Sequence, residues 1–452
     1  MADDVKLGYT IALGLNYGVV ALEAGDIQQF YFIEDIFSFC MVGKMIFEDR
    51  YGIVENGPFT GNERILLAYG ETKSRRLLFD IIKIEKMTMS SPTKSSSGTQ
   101  LVIYFVDTTY KYFTKKRFST SWKKTNNKKI LEDILYKMCQ GSSNNEKIIL
   151  KRYDPTDNKS DFVIPYWTPI ESMLWLNKKT YPKASQNKGN NKIGGYLYYN
   201  NTYWDDGETK NKDNNFTAAW KSINYLFGFP TTNKNEWIDH ENPFLFSGSP
   251  GEKESPTYVN KILDWKYSGI DFSSIKKIQG GHMLGYNFDG KDLIDRKYKY
   301  SKKNDTEKVH YGMIEEIAGL GNKSLFPDIS ELDSEITLTG FDNNNDLDNG
   351  YFYDWLKNYS KQQSLSVIVR GWEERFAGMM VKDLYWKSFD AEDLGGNQNM
   401  IGPYLIKSVT HNFGTKQGYT QRLVLLKNAY YKSEASLIPI KHTNTATTGI
   451  LS

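Results

Sequence analysis

Leu365-Ser-Val-Ile-Val-Arg370, Ile401-Gly-Pro-Tyr-Leu-Ile-Lys-Ser-Val-Thr-His-Asn-Phe413 and Tyr419-Thr-Gln-Arg-Leu-Val-Leu-Leu-Lys-Asn428 are three strand-like runs near the end of the chain. A further strand is expected at Gly378–Trp386, and a polar Asp/Gly loop at Phe389–Gln398. β-branched and aromatic residues fill the runs, and Gly, Asn and Asp fill the gaps, with Gly414–Gly418 as a tight connection. In the last run both Leu423/Leu425 and Val424/Leu426 are apolar. A strand apolar on both sides has something packed on each, which suits a small closed barrel lying against a neighbour.

The chain has 452 residues, enough for two to four domains, and a net charge of only +3. So small a charge gives no global electrostatic case for nucleic acid or membrane. At 14% aromatic content this is a folded, β-containing protein and not a disordered one. Its two cysteines, Cys40 in an apolar run and Cys139 at a helix end, read as buried free thiols, as in a reducing compartment. The start Met1-Ala-Asp-Asp lacks the marks of a signal peptide, and no run approaches the length of a membrane span.

Residues 1 to about 110 read as a β region, with strands at Gln28–Ile33, Phe37–Glu48, Arg64–Tyr69, Arg76–Met89 and Leu101–Thr108. Phe37–Ile53, followed by Gly57-Pro58 and Gly61–Ile65, describes two strands about a turn. Helices are expected at Lys129–Gln140, Thr168–Thr180, Thr217–Phe227, Val309–Leu320 and Tyr353–Gln363. The second opens on Thr168-Pro169-Ile170-Glu171, a capping box with proline at the first helical position. Strands return at Ile193–Tyr203, Ile275–Gly280 and Met283–Asp289. The middle of the chain is therefore α+β, with β stretches on either side.

Candidate chemistry is sparse. Lys111, Lys115, Lys116, Arg117, Lys123, Lys124, Lys128 and Lys129 form a run without an acid. It could meet phosphates with Tyr112, Phe113 and Trp122 interleaved, or be a solvated strand–loop–helix junction, which is what a charge run alone favours. Asp342, Asn344, Asp346 and Asp348 resemble a calcium loop, but Leu347 and Tyr353 stand where glycine and a carboxylate are needed. His240, His282, His310, His411 and His442 show no metal-ligand spacing. Glu315/Glu316 and Glu373/Glu374 are adjacent carboxylates, which point apart and read as surface charge, not as a glycosidase pair. His411 reads as a packed or hydrogen-bonded strand residue. No nucleophile elbow, phosphate loop or dinucleotide fingerprint is present, so no catalytic, cofactor or metal residue is assigned.

The closing pair of runs, Ile401–Phe413 and Tyr419–Ala429, resembles the last hairpin of baseplate central hub proteins of contractile-tailed phages, relatives of the hubs of contractile injection systems. The order of parts is similar too: a β region, a short helix at Leu131–Cys139, and Pro165-Tyr-Trp-Thr168 entering a longer helix. The tail Ile438–Asn444 resembles that family's exit from its last barrel.

The resemblance implies a β-rich α+β fold of two similar tube-like β-barrels with an inserted α+β domain. The first barrel would span 1–128, the insert 129–257 and 301–363, the second barrel 258–300 and 364–432, and a tail 433–452. It implies a non-enzymatic homotrimer that joins a tail tube or tube-initiator protein to a central spike, among other baseplate proteins, in the virion. DNA or an effector would pass through its axial channel. Two rivals stand beside this. One is a tail-associated glycan-binding protein or peptidoglycan hydrolase using the aromatics of Tyr196–Trp204, Trp220 and Trp237. The other is a DNA-binding connector using Lys111–Lys129.

Overall fold

The computed structural model describes residues 9–139 apart from 17, 24, 51, 57–58, 71–74 and 90–97. It further describes 148, 150–183, 195–202, 217–223 and 226. Beyond these it describes 237–238, 244–246, 261–270, 280–287, 292–299, 336–339, 353, 363–381, 384–385, 404–414 and 418–427.

The first part of the chain builds β1 (Tyr9–Leu15), β2 (Gly18–Leu22), β3 (Ile27–Asp35), β4 (Val42–Glu48), a helical turn α1 (Ile53–Asn56), β5 (Arg64–Tyr69), β6 (Arg75–Met89) and β7 (Gly98–Asp107). In β3, Phe30, Phe32 and Glu34 are buried while Tyr31, Ile33 and Asp35 are half-buried, the period-two alternation of a pleated strand with one face on a core. Ile11, Phe30, Phe32, Met45, Phe47, Leu67, Phe79, Ile103 and Phe105 meet in one cluster, which also takes in Phe413 from the far end of the chain. Burial of each such side chain contributes about 1.5–3 kcal/mol.

Next come α2 (Tyr110–Lys115), β8 (Phe118–Asn126), α3 (Asn127–Cys139), β9 (Leu150–Tyr153), β10 (Lys159–Trp167), α4 (Pro169–Lys179), β11 (Tyr196–Asn201) and β12 (Thr217–Ser222). α4 starts as its sequence requires. The Thr168 side chain accepts from the Glu171 amide, and the Glu171 carboxylate accepts from the Thr168 amide at 2.7 Å. Ile130, Leu131, Ile134, Leu135 and Met138 of α3 pack with Met173, Leu176, Tyr196, Tyr198 and Trp220 in a second cluster. β8 pairs with β10, while β11, β12 and β9 form a three-stranded sheet.

The remaining strands are β13 (Trp237–Ile238), β14 (Phe244–Phe246), β15 (Lys261–Ile270), β16 (Gly280–Asn287), β17 (Asp292–Lys299), β18 (Ile336–Thr339), β19 (Gln363–Arg370), β20 (Met380–Val381), β21 (Leu384–Tyr385), β22 (Tyr404–Gly414) and β23 (Gly418–Lys427). A 15-stranded sheet runs through both ends of the chain; thirteen strands follow the order β2-β1-β5-β6-β7-β4-β3-β22-β23-β19-β15-β14-β21, while β20 pairs with β22 and β13 with β20 off this path. Its two halves meet where β3 and β22 pair antiparallel, from Ser408 opposite Asp35 to Phe413 opposite Phe30. The path is open: among the described residues no ladder closes either half into a barrel.

The halves repeat one another. The chain-ordered set β3, β4, β6, β7 stands in the sheet as β6-β7-β4-β3, and the set β15, β19, β22, β23 stands as β22-β23-β19-β15. The bulges agree as well. Gln28 of β3 and Leu263 of β15 are each one extra residue against the following strand, as are Ile82 of β6 and Lys407 of β22. The equivalences close: Lys44 stands opposite Tyr104, and Ser366 opposite Val424, at matching positions. Even the short ladder of β20 on β22 (Val381 opposite Tyr404) matches that of β5 on β6 (Ile65 opposite Phe79).

Several expectations need correction. Thr217–Phe227 does not open as a helix: Thr217–Ser222 is a strand with all six residues buried, antiparallel to β11 and parallel to β9. A segment covered on both sides loses the polar face that a surface helix shows, so its apolar run fits either element and the neighbouring strands decide. Gly378–Trp386 is not one strand but the two dipeptides β20 and β21. In Phe37–Ile53 only Val42–Glu48 is a strand, and Ile53 begins α1. The helix expected at Val309–Leu320 lies outside the described residues, as does most of the strand at Ile275–Gly280 and of the helix at Tyr353–Gln363. Leu423 and Leu425 pack in the core of the C-terminal half, whereas Leu426 belongs to another cluster together with Leu197 and Tyr199 of β11. The mixed apolar pattern of that strand is thereby accounted for.

Candidate functional site: a buried polar seam

The β3–β22 junction carries polar side chains where a sheet interior is otherwise apolar. Glu34, His411 and Gln421 are fully buried on the core face, and Tyr419 stands beside them. His411 lies flat on Phe32, ring centroids 4.2 Å apart. Its Nε2 is 2.8 Å from Glu34 Oε1, and its Nδ1 is 2.7 Å from the Tyr419 hydroxyl. Burial lowers the His411 pKa, so the ring is neutral at pH 7. Burial also raises the Tyr419 pKa, keeping its hydroxyl protonated. One tautomer follows: Nε2–H donates to the Glu34 carboxylate, and Nδ1 accepts from Tyr419.

Gln421 extends the chain of bonds. Its amide N–H donates to the Tyr419 hydroxyl at 2.9 Å and to the Trp372 carbonyl at 3.0 Å, while its carbonyl accepts from the Trp372 amide and from Arg375. Arg375 is itself fully buried, which brings its pKa down to about 10, still well above neutrality. On the other side, Glu34 accepts from the Thr202 amide at 2.8 Å and the Thr202 hydroxyl at 3.0 Å. One network thus ties β3, the β22–β23 hairpin, the segment after β19 and the end of β11.

A second buried joint fastens β11 to β7. The Asp107 carboxylate accepts from the Met41 and Thr109 amides, the Thr109 hydroxyl and, at 3.3 Å, Asn200. Burial pushes Asp107 up to about 6 against these four donors, so at neutral pH it is the carboxylate that accepts them. Between β12 and the residue after β9, Lys221 Nζ meets Asp154 at 3.1 Å, with both side chains buried. Gly378 completes the packing with φ +86°. Its amide donates to the Ile406 carbonyl at 2.8 Å, and a Cβ there would run into the Tyr199 hydroxyl.

Glu34, His411 and Tyr419 have the residue types of an acid–base relay, yet no substrate reaches a cluster with no exposed member at its centre. The sequence left His411 as packed or hydrogen-bonded, and in the structure it is both; it gave no hint of Glu34, Thr202, Arg375 or Gln421. The only signal available was polar residues at inward positions of apolar strands.

The other candidates fall apart in space. Glu373 is 5% exposed, so it is not the surface charge expected of the Glu373/Glu374 pair; it lies in the segment wrapped over the seam. Tyr196, Tyr198, Tyr199 and Trp220 are buried core, unavailable for stacking on a sugar. Tyr203, Trp204 and the Trp237 side chain lie outside the described residues, as do Asp342–Asp348, Glu315, Glu316, His240, His310, His442 and the His282 side chain. The basic run is spread over α2, β8 and the first turn of α3. Tyr112 and Phe113 are buried, and the Trp122 indole donates to Asp133 at 2.9 Å. Arg117 lies 3.9 Å from Glu171, Lys128 lies 3.3 Å from Glu132, and Lys123, Lys124 and Lys129 are exposed. Both cysteines are free and buried. Among the described residues no group of three His, Cys, Asp or Glu side chains could hold a metal ion, and no helix is long and apolar enough to cross a membrane.

No protein-family profile matches the chain, and no curated protein matches it in sequence. Solved structures do. A tail protein from Neisseria meningitidis MC58 superposes with a TM-score of 0.51 at 10% identity, covering 94% of this chain and 98% of its own. A 43 kDa tail protein of prophage MuSo2 from Shewanella oneidensis gives 0.49 at 9% identity over 93% and 98% of the two chains. A type VI secretion system component of E. coli gives 0.42 at 7% identity over 90% and 76%. The chain therefore shares the fold of the Neisseria tail protein along nearly the whole of both.

Proposed function

We propose that this protein is the structural hub of a contractile tail baseplate, a homotrimer that joins the hexameric tail tube, or its initiator, to a trimeric central spike. The observation that carries the reading is the in-chain repeat. Two equivalent four-stranded sets lie side by side in one sheet, so three chains supply six equivalent β units. A closed three-fold assembly built in this way meets a six-fold partner on one face and a three-fold partner on the other. The fold shared with a tail protein supports the same role.

In this reading the first tube-like unit is 1–128, the second 258–300 plus 364–432, the insert 129–257 plus 301–363, and 433–452 a tail. The ring surrounds an axial channel through which DNA or an effector passes, in the virion among other baseplate proteins. No residue has a catalytic role. The buried seam fixes how the two units of one chain sit against each other, because its hydrogen bonds join side chains from both units and from β11 at one buried place.

Light scattering on the purified chain, alone and mixed with its neighbouring tail proteins, tests the reading. A mass three times that of one chain is expected. A single-chain mass under both conditions overturns it.

A further inference from the structure

β8 alternates as a strand with one covered face: Phe118, Thr120 and Trp122 are half-buried, while Ser119, Ser121 and Lys123 are exposed. At Lys124 the alternation breaks, and two consecutive lysines face solvent. The cause is a bulge. Ser160 stands opposite Thr125 and Phe162 opposite Trp122, so Lys124 is one extra residue on β8. It takes φ +46°, a left-handed conformation unusual for a long side chain, and the Asp161 carboxylate holds it there by accepting its amide at 2.6 Å. A solvated surface is satisfied by lysines at regular positions; it does not call for a strained residue to add one more.

The charges nearby do not cancel. Glu132 pairs with Lys128 and Asp157 with Lys183, while Asp133 and Asp161 are engaged by the Trp122 indole and the Lys124 amide. Lys123, Lys124, Lys129 and Lys159 are exposed, and among the described residues none of their ammonium groups meets a carboxylate. Lys159 stands opposite Asn126, two positions past Lys124, and Lys129 lies in the first turn of α3, three positions past Asn126. Four unpaired cations thus gather where the ribbon runs into the helix.

We propose that Lys123, Lys124, Lys129 and Lys159 form a sequence-independent binding surface for the phosphate backbone of duplex DNA. Ser119 and Ser121, on the exposed face of β8, supply hydroxyls to further phosphates. The rings of Tyr153 and Trp122 already carry the ammonium groups of Lys128 and Lys137, at 3.7 and 5.5 Å, which favours phosphate contact over base stacking. Thr125, Asn126 and Ser160, set among the four lysines, are polar and offer no apolar anchor to a bilayer. The surface belongs to a single chain, so it goes beyond the hub reading and does not need it.

Fluorescence anisotropy of the full chain with a short labelled duplex is the test. Four phosphate contacts give a log–log salt slope of about −3.6, so affinity falls about 150-fold between 50 and 200 mM salt. Lys124→Gln with Lys159→Gln should bring the slope to about −1.8 and the fall to about 12-fold. Lys83→Gln with Lys86→Gln, the same loss of charge on β6, should keep the full slope, and duplexes of unrelated sequence should bind alike. No binding at 50 mM salt, or a K124Q/K159Q slope equal to that of the unaltered chain, overturns the proposal. Equal affinity for poly-glutamate or for phosphatidylglycerol vesicles also overturns it, since the surface would then select anions in general or a membrane. Light scattering on the same samples keeps the two readings apart. A trimer that ignores DNA leaves the hub reading standing, and a single chain that binds DNA leaves this one standing.

Discussion

The seam at Glu34 and the joint at Asp107 solve the same problem with opposite electrostatics. Each holds a fully buried carboxylate that ties separate parts of the chain together, and each is supplied with donors from several segments. At the seam the titrating partner is an imidazole that burial holds neutral. At the joint it is the carboxylate itself, pushed up to about 6. Burial penalises whichever form is charged, so the same cause lowers a histidine and raises an aspartate. The two should respond to acid in opposite directions.

The largest effect expected is that of Glu34→Ala. It leaves the His411 Nε2–H and both Thr202 donors without acceptors in a site that water does not reach, a loss of about 4 kcal/mol read from denaturant unfolding. Loss of less than about 1 kcal/mol would show that the seam contributes little. Asp107→Ala should cost about 3 kcal/mol, since it strands the Met41 and Thr109 amides. If it costs as much as Glu34→Ala, the two joints are energetically alike.

Titration sharpens the contrast. For His411 the folded pKa is below the unfolded value, so its contribution is complete above about pH 6.5 and is lost as pH falls through the folded value. For Asp107 the folded pKa, about 6, is above the unfolded value of about 3.9, so its contribution is largest below the latter and is lost as pH rises through 6. Unfolding free energies between pH 4 and 7 should therefore show a shallower acid loss in His411→Gln and a steeper one in Asp107→Asn. Equal slopes in the two variants would refute the assignment. The smallest effect is outside both joints: Thr168→Ala removes the α4 cap at a cost of about 1 kcal/mol.

Local signals in the chain were legible wherever one short segment decides its own conformation. The strands around Arg64–Tyr69 and Leu365–Arg370, the closing hairpin, helix α3 and the capped start of α4 all stand where alternation, periodicity and Thr168–Glu171 place them, to within a few residues at their ends. The run from Thr217 failed because burial on both faces erases the periodicity that separates helix from strand. The site was legible only as a packed or hydrogen-bonded His411. Its partners lie up to 377 positions away in the chain, at Glu34, and nothing local to either residue names the other.

By itself, then, the sequence determined that this is a β-rich α+β chain with two strand-rich ends around a mixed middle. Pleating, capping and turn chemistry are properties of neighbouring residues, and the sequence spells them out. Only the tertiary structure decided that the ends form one sheet, that four strands of each end repeat in order and bulge, and that a buried polar network sits where they meet. Those are pairings between residues far apart in the chain, and a strand's partner is fixed by what else is left to pair with it.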